Sequence, residues 1–284
     1  MARTKLPPTV RQRRLGAELR RLRENAELSA TQAGELFGAT QSRISNIEAG
    51  GYAVSADRVR ALARLYGCTD EALIEALTQM TGGRTRGWWE EYREILPAGM
   101  LDLAELEHHT HAMRVASVIH MPGLLQTRVH AHAVISAVEP PLAPYEVEHR
   151  VSHRIKRQAV LHGDRPTPLA ATIHEAALRM EFGGASVARA QLEYLLTMSE
   201  EEHITLLVIP FEAGAFPNSG QGIIYLCGEV PQMDTVQLDT DHGSEYLDTP
   251  PQLTRYRSTL DRMESLALEP AKSRDVIHRI AQTL

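Results

Sequence analysis

At 284 residues with 43% hydrophobic content, the chain suits one large or two modest domains with packed cores. No apolar run approaches the roughly 20 residues that span a bilayer, and the basic N-terminus MARTKLPPTVRQRR lacks the apolar segment of a signal peptide, so the sequence argues against a membrane or secreted protein and points to the cytoplasm. The net charge of −6 speaks against a nucleic-acid partner until the chain is divided at Tyr66: residues 1–66 hold 12 Lys and Arg against 6 Asp and Glu, a balance of +6, which leaves −12 for the remainder.

Taken in order, residues 1–10 contain Pro7 and Pro8 without an apolar period and read as an arm whose Arg3 and Lys5 can reach DNA. From Arg11 to Ala26, Leu15, Leu19 and Leu22 make one helical stripe. Arg13, Arg14, Arg20 and Arg21 lie off it, on a face open either to solvent or to phosphate. The stretch LSATQAGELFGATQSRISNIEAG, Leu28 to Gly50, reads as two short helices joined by a tight turn. Ser29 is placed to cap the first, with Ala33, Leu36 and Phe37 as its apolar face and Gly38 as its end. Thr40 is placed to cap the second, which buries Ile44 and Ile47, turns Gln41, Ser42, Arg43, Ser45 and Asn46 elsewhere, and stops at Gly50 and Gly51. Short amides and hydroxyls at the start of a helix suit base edges in a major groove, because Gln and Asn can pair both amide atoms with adenine. Ser55 then caps a helix through Tyr66, and Thr69 or Asp70 caps a fifth.

Residues 12–66 resemble the XRE (Cro/CI-type) helix-turn-helix family, with Gly38, Ile44, Ile47, Glu48 and Gly50 on its pattern. The resemblance implies an all-α, five-helix domain that binds double-stranded DNA as a homodimer at a near-palindromic operator. It implies base contacts from Gln41, Ser42 and Asn46, with Arg43 beside them, and a buried Arg23–Glu48 ion pair. Where the family has a phosphate-binding Gln at the start of its second helix this chain has Ala30, which leaves that contact to Thr31 or Gln32.

TGGRTRG, residues 81–87, marks a linker between a domain at 1–80 and a second at 88–284. Trp88, Trp89, Tyr92 and Ile95 begin an amphipathic helix that builds core or a subunit contact. Leu101–His111 and Tyr145–Leu161 read as helices, and Val115–Ile119 as a strand. Further strands are expected at Leu169–Ile173, Ile204–Ile209, Ile223–Cys227, Thr235–Leu238 and Glu245–Leu247, with a helix at Val187–Met198 and two more closing the chain. The near-continuous apolar run Ile204–Ile209 suggests a strand covered on both faces. The fold expected is an α+β domain with a central sheet flanked by helices. PGLLQT (122–127), Arg154 with Arg157-Gln158, HEAALR (174–179), Gly183-Gly184, Gln191-Leu192 and VIPF (208–211) resemble the uncharacterised domain that follows an XRE module in actinomycete regulators of the WhiJ type. That resemblance implies regulation, a small acidic partner protein, and an effector role for 88–284.

Thirteen histidines raise a metal site, yet only His149 and His153 have helical i, i+4 spacing, without the intervening Glu of HExxH. Cys68 and Cys227 match no metal spacing and suit a reducing compartment. Glu175 invites a polar cluster with Arg154 and Arg157, but no nucleophile motif, phosphate loop or paired carboxylate accompanies it. The sequence therefore reads as a sequence-specific, dimeric transcriptional regulator without catalytic residues, cofactor or metal, its C-terminal domain sensing a small ligand or binding a partner protein. An antitoxin-like adaptor with autoregulatory DNA binding, and an enzyme with a DNA-binding appendage, are the rival readings.

Overall fold

The computed structural model describes residues 7–82, 87–240 and 242–284. The basic arm at Arg3 and Lys5 and the centre of the 81–87 linker lie outside these. The chain forms two compact units: the described residues up to Trp88 together with Gly228–Met233, and Trp89–Cys227 together with Asp234–Leu284.

The first unit is built from helices α1 (Val10–Asn25), α2 (Ala30–Phe37), α3 (Gln41–Glu48), α4 (Ala56–Leu65) and α5 (Glu71–Gln79). Four of the five starts are set by a short polar side chain: Thr9 and Ser29 close capping boxes with Gln12 and Gln32, Thr40 accepts from the Arg43 N–H, and Asp70 accepts from the Leu73 N–H, whereas Ser55 holds the N-cap position of α4 without the side-chain bond expected of it. The apolar stripes meet in one core of Leu15, Leu19, Ile44, Ile47, Val59 and Leu77, which also takes in Met233. Arg14 departs from the surface role open to it in the sequence. It is 2% exposed, pairs with Glu18 and donates to the Gln232 carbonyl, a partner too far along the chain for helical spacing to show. Arg11 closes the C-terminus of α5, donating to Gln79 O (2.7 Å) and Met80 O (3.1 Å).

The second unit carries a six-stranded mixed sheet in the order β3-β2-β1-β4-β5-β6, its strands being β1 (Ala112–Ser117), β2 (Leu169–His174), β3 (Ile204–Ile209), β4 (Ile223–Cys227), β5 (Thr235–Thr240) and β6 (Gly243–Leu247). β1, β2 and β3 run parallel, joined by helical crossovers, while β4 to β6 are antiparallel. One face packs on α11 (Pro250–Leu266) through Ala116, Ile223, Tyr225, Val236 and Leu238. Helices α6 (Ala98–His108), α7 (Arg128–Ser136) and α8 (Pro144–Arg157) precede β2, α9 (Glu175–Arg179) and α10 (Ala185–Met198) follow it, and α12 (Pro270–Thr283) ends the chain.

Four local expectations change. β1 begins at Ala112, not Val115, because Ala112 pairs with Cys227, and Val118–Met121 leaves the sheet with Ile119 46% exposed. The Trp88–Tyr92 segment is a 3₁₀ turn rather than an amphipathic helix; Trp89 is buried, and Tyr92 bonds Ser152 Oγ at 2.9 Å. β3 is an edge strand with Thr205 exposed, and its apolar run is explained by cover along the edge: Val208 N–H donates to Ser273 Oγ (2.9 Å) and Val208 O accepts from Leu268 N–H (2.8 Å). Glu175 stays apart from Arg154 and Arg157. It pairs with Arg179 and accepts from the Phe211 N–H, and these contacts outweigh the upward push of burial and hold its carboxyl below the usual range.

The two histidines at metal spacing do not converge: His153 is buried against the Tyr92 ring (5.2 Å) while His149 lies by Tyr145. Among the described residues no group of three or more His, Cys, Asp or Glu could hold a metal, and no helix is long and apolar enough to cross a membrane.

His130 on α7 is 1% exposed, and neither ring nitrogen has a hydrogen-bond partner among the described residues. Burial, with the nearby His120 and Arg154, lowers its pKa to about 4, and burial beside Arg157 lowers His153 to about 3. Below the usual histidine pKa of about 6.5 the unfolded chain binds protons that the fold refuses, so stability is full above that pH and is lost as pH falls. His130 alone removes about 2 kcal/mol between pH 6.5 and pH 5. Thermal unfolding across this window should show a falling midpoint in the wild type and a flatter profile in His130→Leu; parallel profiles would contradict the assignment.

Candidate nucleic-acid interface

The geometry of the α2–α3 pair begins with Gly38, whose φ of +69° ends α2 in the left-handed region and lets the chain reverse into the Thr40 cap. Ile44 and Ile47 are 1% and 5% exposed, which fixes the rotation of α3 about its axis. Gln41, Ser42 and Arg43 are consequently exposed, with Ser45 and Asn46 half-buried beside them. On α2, Ala33 is buried as expected, but Leu36 is 61% exposed and stands off the core. The stripe is narrower than its sequence suggests because Phe37 alone turns inward at that end of the helix.

Two devices hold α3 against α1. Arg23 donates from Nε and Nη2 to the two carboxylate oxygens of Glu48 at 2.7 and 2.9 Å, and its Nη1 donates to the Leu28 carbonyl at 2.6 Å. Both side chains are under 10% exposed, and the bonding to Glu48 raises the guanidinium pKa. The other device is Gly16, where a Cβ would stand 2.3 Å from the Glu48 carbonyl oxygen, so only glycine permits this helix approach.

On the outward face of α3 the polar side chains bond within the helix. Gln41 Nε2 donates to Ser45 Oγ (2.9 Å), and Asn46 Nδ2 donates to Ser42 O (2.7 Å). These i, i+4 bonds align two amides along one exposed edge. A groove of about 360 Å³ beside them is lined by Thr40, Ser42, Arg43, Tyr52 and Arg58. Most arginines of this unit are occupied: Arg20 by Glu24, Arg21 by Glu18, Arg60 by Asp57 and Glu75, Arg64 by Glu71, and Arg13 by the Pro8 carbonyl. Among the described residues of the unit, Arg43 and Arg58 are the arginines whose side chains make no hydrogen bond or ion pair. The cationic face therefore lies by α3 and the start of α4, and the α1 arginines serve packing and pairing. Arg58 and Tyr52 were not singled out in the sequence; Arg58 falls in the first turn of α4, just past the Ser55 cap, which is the one local sign of it.

At the α2 N-terminus, Ala30 packs partly into the core, Thr31 is exposed, and Gln32 Oε1 accepts from the Ser29 N–H at 2.9 Å.

Residues 14–77 match the family described as a helix-turn-helix domain, which makes the first unit the DNA-binding domain of a regulator. Residues 100–279 match the family described as Domain of unknown function (DUF5753), a match that spans more than half the chain. The chain belongs to the DUF5753 family. No curated protein and no solved structure matches it significantly. The DUF5753 match takes in all six strands, and inside it the motifs spread along the sequence interlock. Gln126 of PGLLQT donates to Met121 O (2.8 Å) and accepts from Arg154 Nη1 (2.9 Å), and its own carbonyl accepts from Gln158 Nε2 (2.6 Å). Gln191 accepts from the Thr127 N–H (2.7 Å) and donates to Leu125 O (2.6 Å), while Arg157 pairs with both oxygens of the buried Glu107.

Removing one member of the Arg23–Glu48 pair strands the other charge, so Glu48→Ala should lower unfolding free energy by about 3–5 kcal/mol. Gly16→Ala should also destabilise the first unit through the clash with Glu48. Chemical denaturation monitored by circular dichroism checks both; either variant unfolding like the wild type would show that α1 and α3 are not clamped this way.

Proposed function

We propose that this regulator binds a near-palindromic double-stranded DNA operator as a homodimer in the cytoplasm, α3 reading bases and the DUF5753 domain receiving a small ligand. The observation that carries the reading is the placement of exposed Gln41 and half-buried Asn46 on the outward face of α3 beside the two uncommitted guanidiniums of Arg43 and Arg58. Gln41 and Asn46 exchange their intrahelical bonds for adenine-type edges, and Ser42 contacts a base or phosphate beside them. Arg43 and Arg58 take phosphates on either side, with Thr31 and the Nε2 of Gln32 at the start of α2. The Gln32 cap uses Oε1, which is compatible with a donor contact through Nε2. The domain division proposed is 1–80 for DNA and 88–284 for the effector, joined by 81–87, with Gly228–Met233 belonging to the first compact unit. Two-fold symmetry sets the two α3 helices about 34 Å apart, one DNA turn. The resemblance of the C-terminal motifs also supports a small acidic partner protein.

The test is recovery of sheared host genomic DNA on the tagged protein beside Gln41→Ala/Asn46→Ala, followed by sequencing. A few sharp peaks lost in the double variant are expected; peaks that survive it would refute base reading by these residues. Arg58→Ala should act differently. It should weaken binding uniformly across sequences and reduce the slope of log affinity against log salt by about 1, as measured by fluorescence anisotropy.

A further inference from the structure

Where β1 ends and the chain turns into PGLLQT, the DUF5753 domain holds a half-open cavity of about 480 Å³, within the size range of small-molecule sites. It lies at the carboxyl end of β1, over the antiparallel β1–β4–β5 part of the sheet. Leu103, Val115, Ile119, Met121, Val134 and Ile224 give it apolar walls. The polar groups in the lining include two guanidiniums of unlike standing. Arg157 is neutralised by Glu107, bonded at Nε and Nη2. Arg154 has one bond, from Nη1 to the neutral Gln126 amide; its Nε is buried without a partner, and among the described residues it makes no ion pair.

The other groups facing the cavity do not supply the missing charge. Asp239 makes no contact ion pair with Arg154 and acts on it only as a more distant charge, its carboxylate accepting from Gln237 Nε2 (2.6 Å) and Ser244 Oγ (3.3 Å). His120 is exposed, and partial desolvation together with Arg154 lowers its pKa against an opposing pull from Asp239. Burial and the adjacent Arg157 lower the Arg154 pKa to about 10, and the more distant carboxylates of Asp239 and Glu107 offset this only in part. Arg154 is half-buried with its Nε out of reach of solvent, a setting in which a cation without a contact counter-ion is costly, and a guanidinium is shaped to take a carboxylate through two parallel N–H bonds.

We propose that this cavity binds a small organic carboxylate, its acid group on Arg154 and its apolar body against the walls at Val115, Ile119 and Val134. The inference rests on the reading of the DUF5753 domain as a ligand receiver and names the class of ligand. A single such guanidinium suits a monoanionic carboxylate better than a phosphate dianion. The carboxylate supplies the counter-ion that Arg154 lacks, while a neutral molecule of the same shape leaves that cation unpaired.

The test uses the full chain and two acid–amide pairs, octanoate with octanamide and 4-phenylbutyrate with its amide, measured by isothermal titration and thermal shift at pH 7. At least one acid should bind tenfold or more tighter than its amide, and Arg154→Met, which also gives up the bond to Gln126, should erase that preference. Arg154→Lys, which keeps the charge, should retain part of it. The acid–amide comparison is made on the wild-type chain and so stands even if a variant misfolds. Equal binding of acid and amide would overturn the carboxylate site while leaving a ligand-receiving cavity, and no binding by either pair would overturn the proposal. Acid binding that leaves operator affinity unchanged would support the site and contradict its regulatory role.

Discussion

The DUF5753 domain depends on satisfying the backbone of one buried turn. Pro122 to Thr127 runs beneath α8 and α10 with Leu124 and Leu125 inside the core, so its carbonyls and amides are beyond the reach of bulk water. An unpaired buried backbone group costs about as much as a lost hydrogen bond. Three glutamines meet the demand, Gln126 from the turn itself, Gln158 from the end of α8 and Gln191 from α10. Glutamine suits this because one amide both donates and accepts; Gln191 does so across successive residues, taking the Thr127 N–H and giving to Leu125 O. Arg154 and Arg157 reach the same place from α8. One is fully paired and the other is not, and this difference turns a structural clasp into a cavity wall with chemical character.

The helix-turn-helix unit solves a simpler problem. A reading helix must keep its exposed face at a fixed angle, and α3, with only 8 residues, has little apolar surface of its own to do so. Ile44 and Ile47 provide the burial, Gly16 the close approach, and the Arg23–Glu48 pair the register. With the acidic side chains of α1 and α4 drawn into ion pairs with neighbouring arginines, the uncommitted positive charge is left at Arg43 and Arg58. Charge distribution, more than net charge, makes an acidic chain compatible with DNA.

Much of this was legible from residue order. Capping residues and helical periodicity placed the α2–α3 pair and its outward amides, because those signals are local. The strands appeared as short apolar runs bounded by turns, and the motifs of the second domain appeared in their order along the chain. What escaped is non-local. Arg14 is off the apolar stripe of its helix yet buried, since its partner is Gln232. Gly16 looks like a helix weakness until the Glu48 carbonyl is seen beside it. Glu175 faced a choice of arginines in sequence, and the fold gave it Arg179, one turn along its own helix. Val118 to Met121 has the apolar content of a strand but pairs with nothing in the sheet, because it lines the cavity.

The most direct measurement of the central claim, that α3 reads bases while arginines hold phosphate, is affinity for an isolated operator and for its scrambled sequence across a series of salt concentrations. The account predicts parallel salt dependences, since the same phosphates are neutralised, separated by a constant preference for the operator that salt does not remove. Curves that coincide at every salt concentration would mean that the protein attracts DNA without reading it.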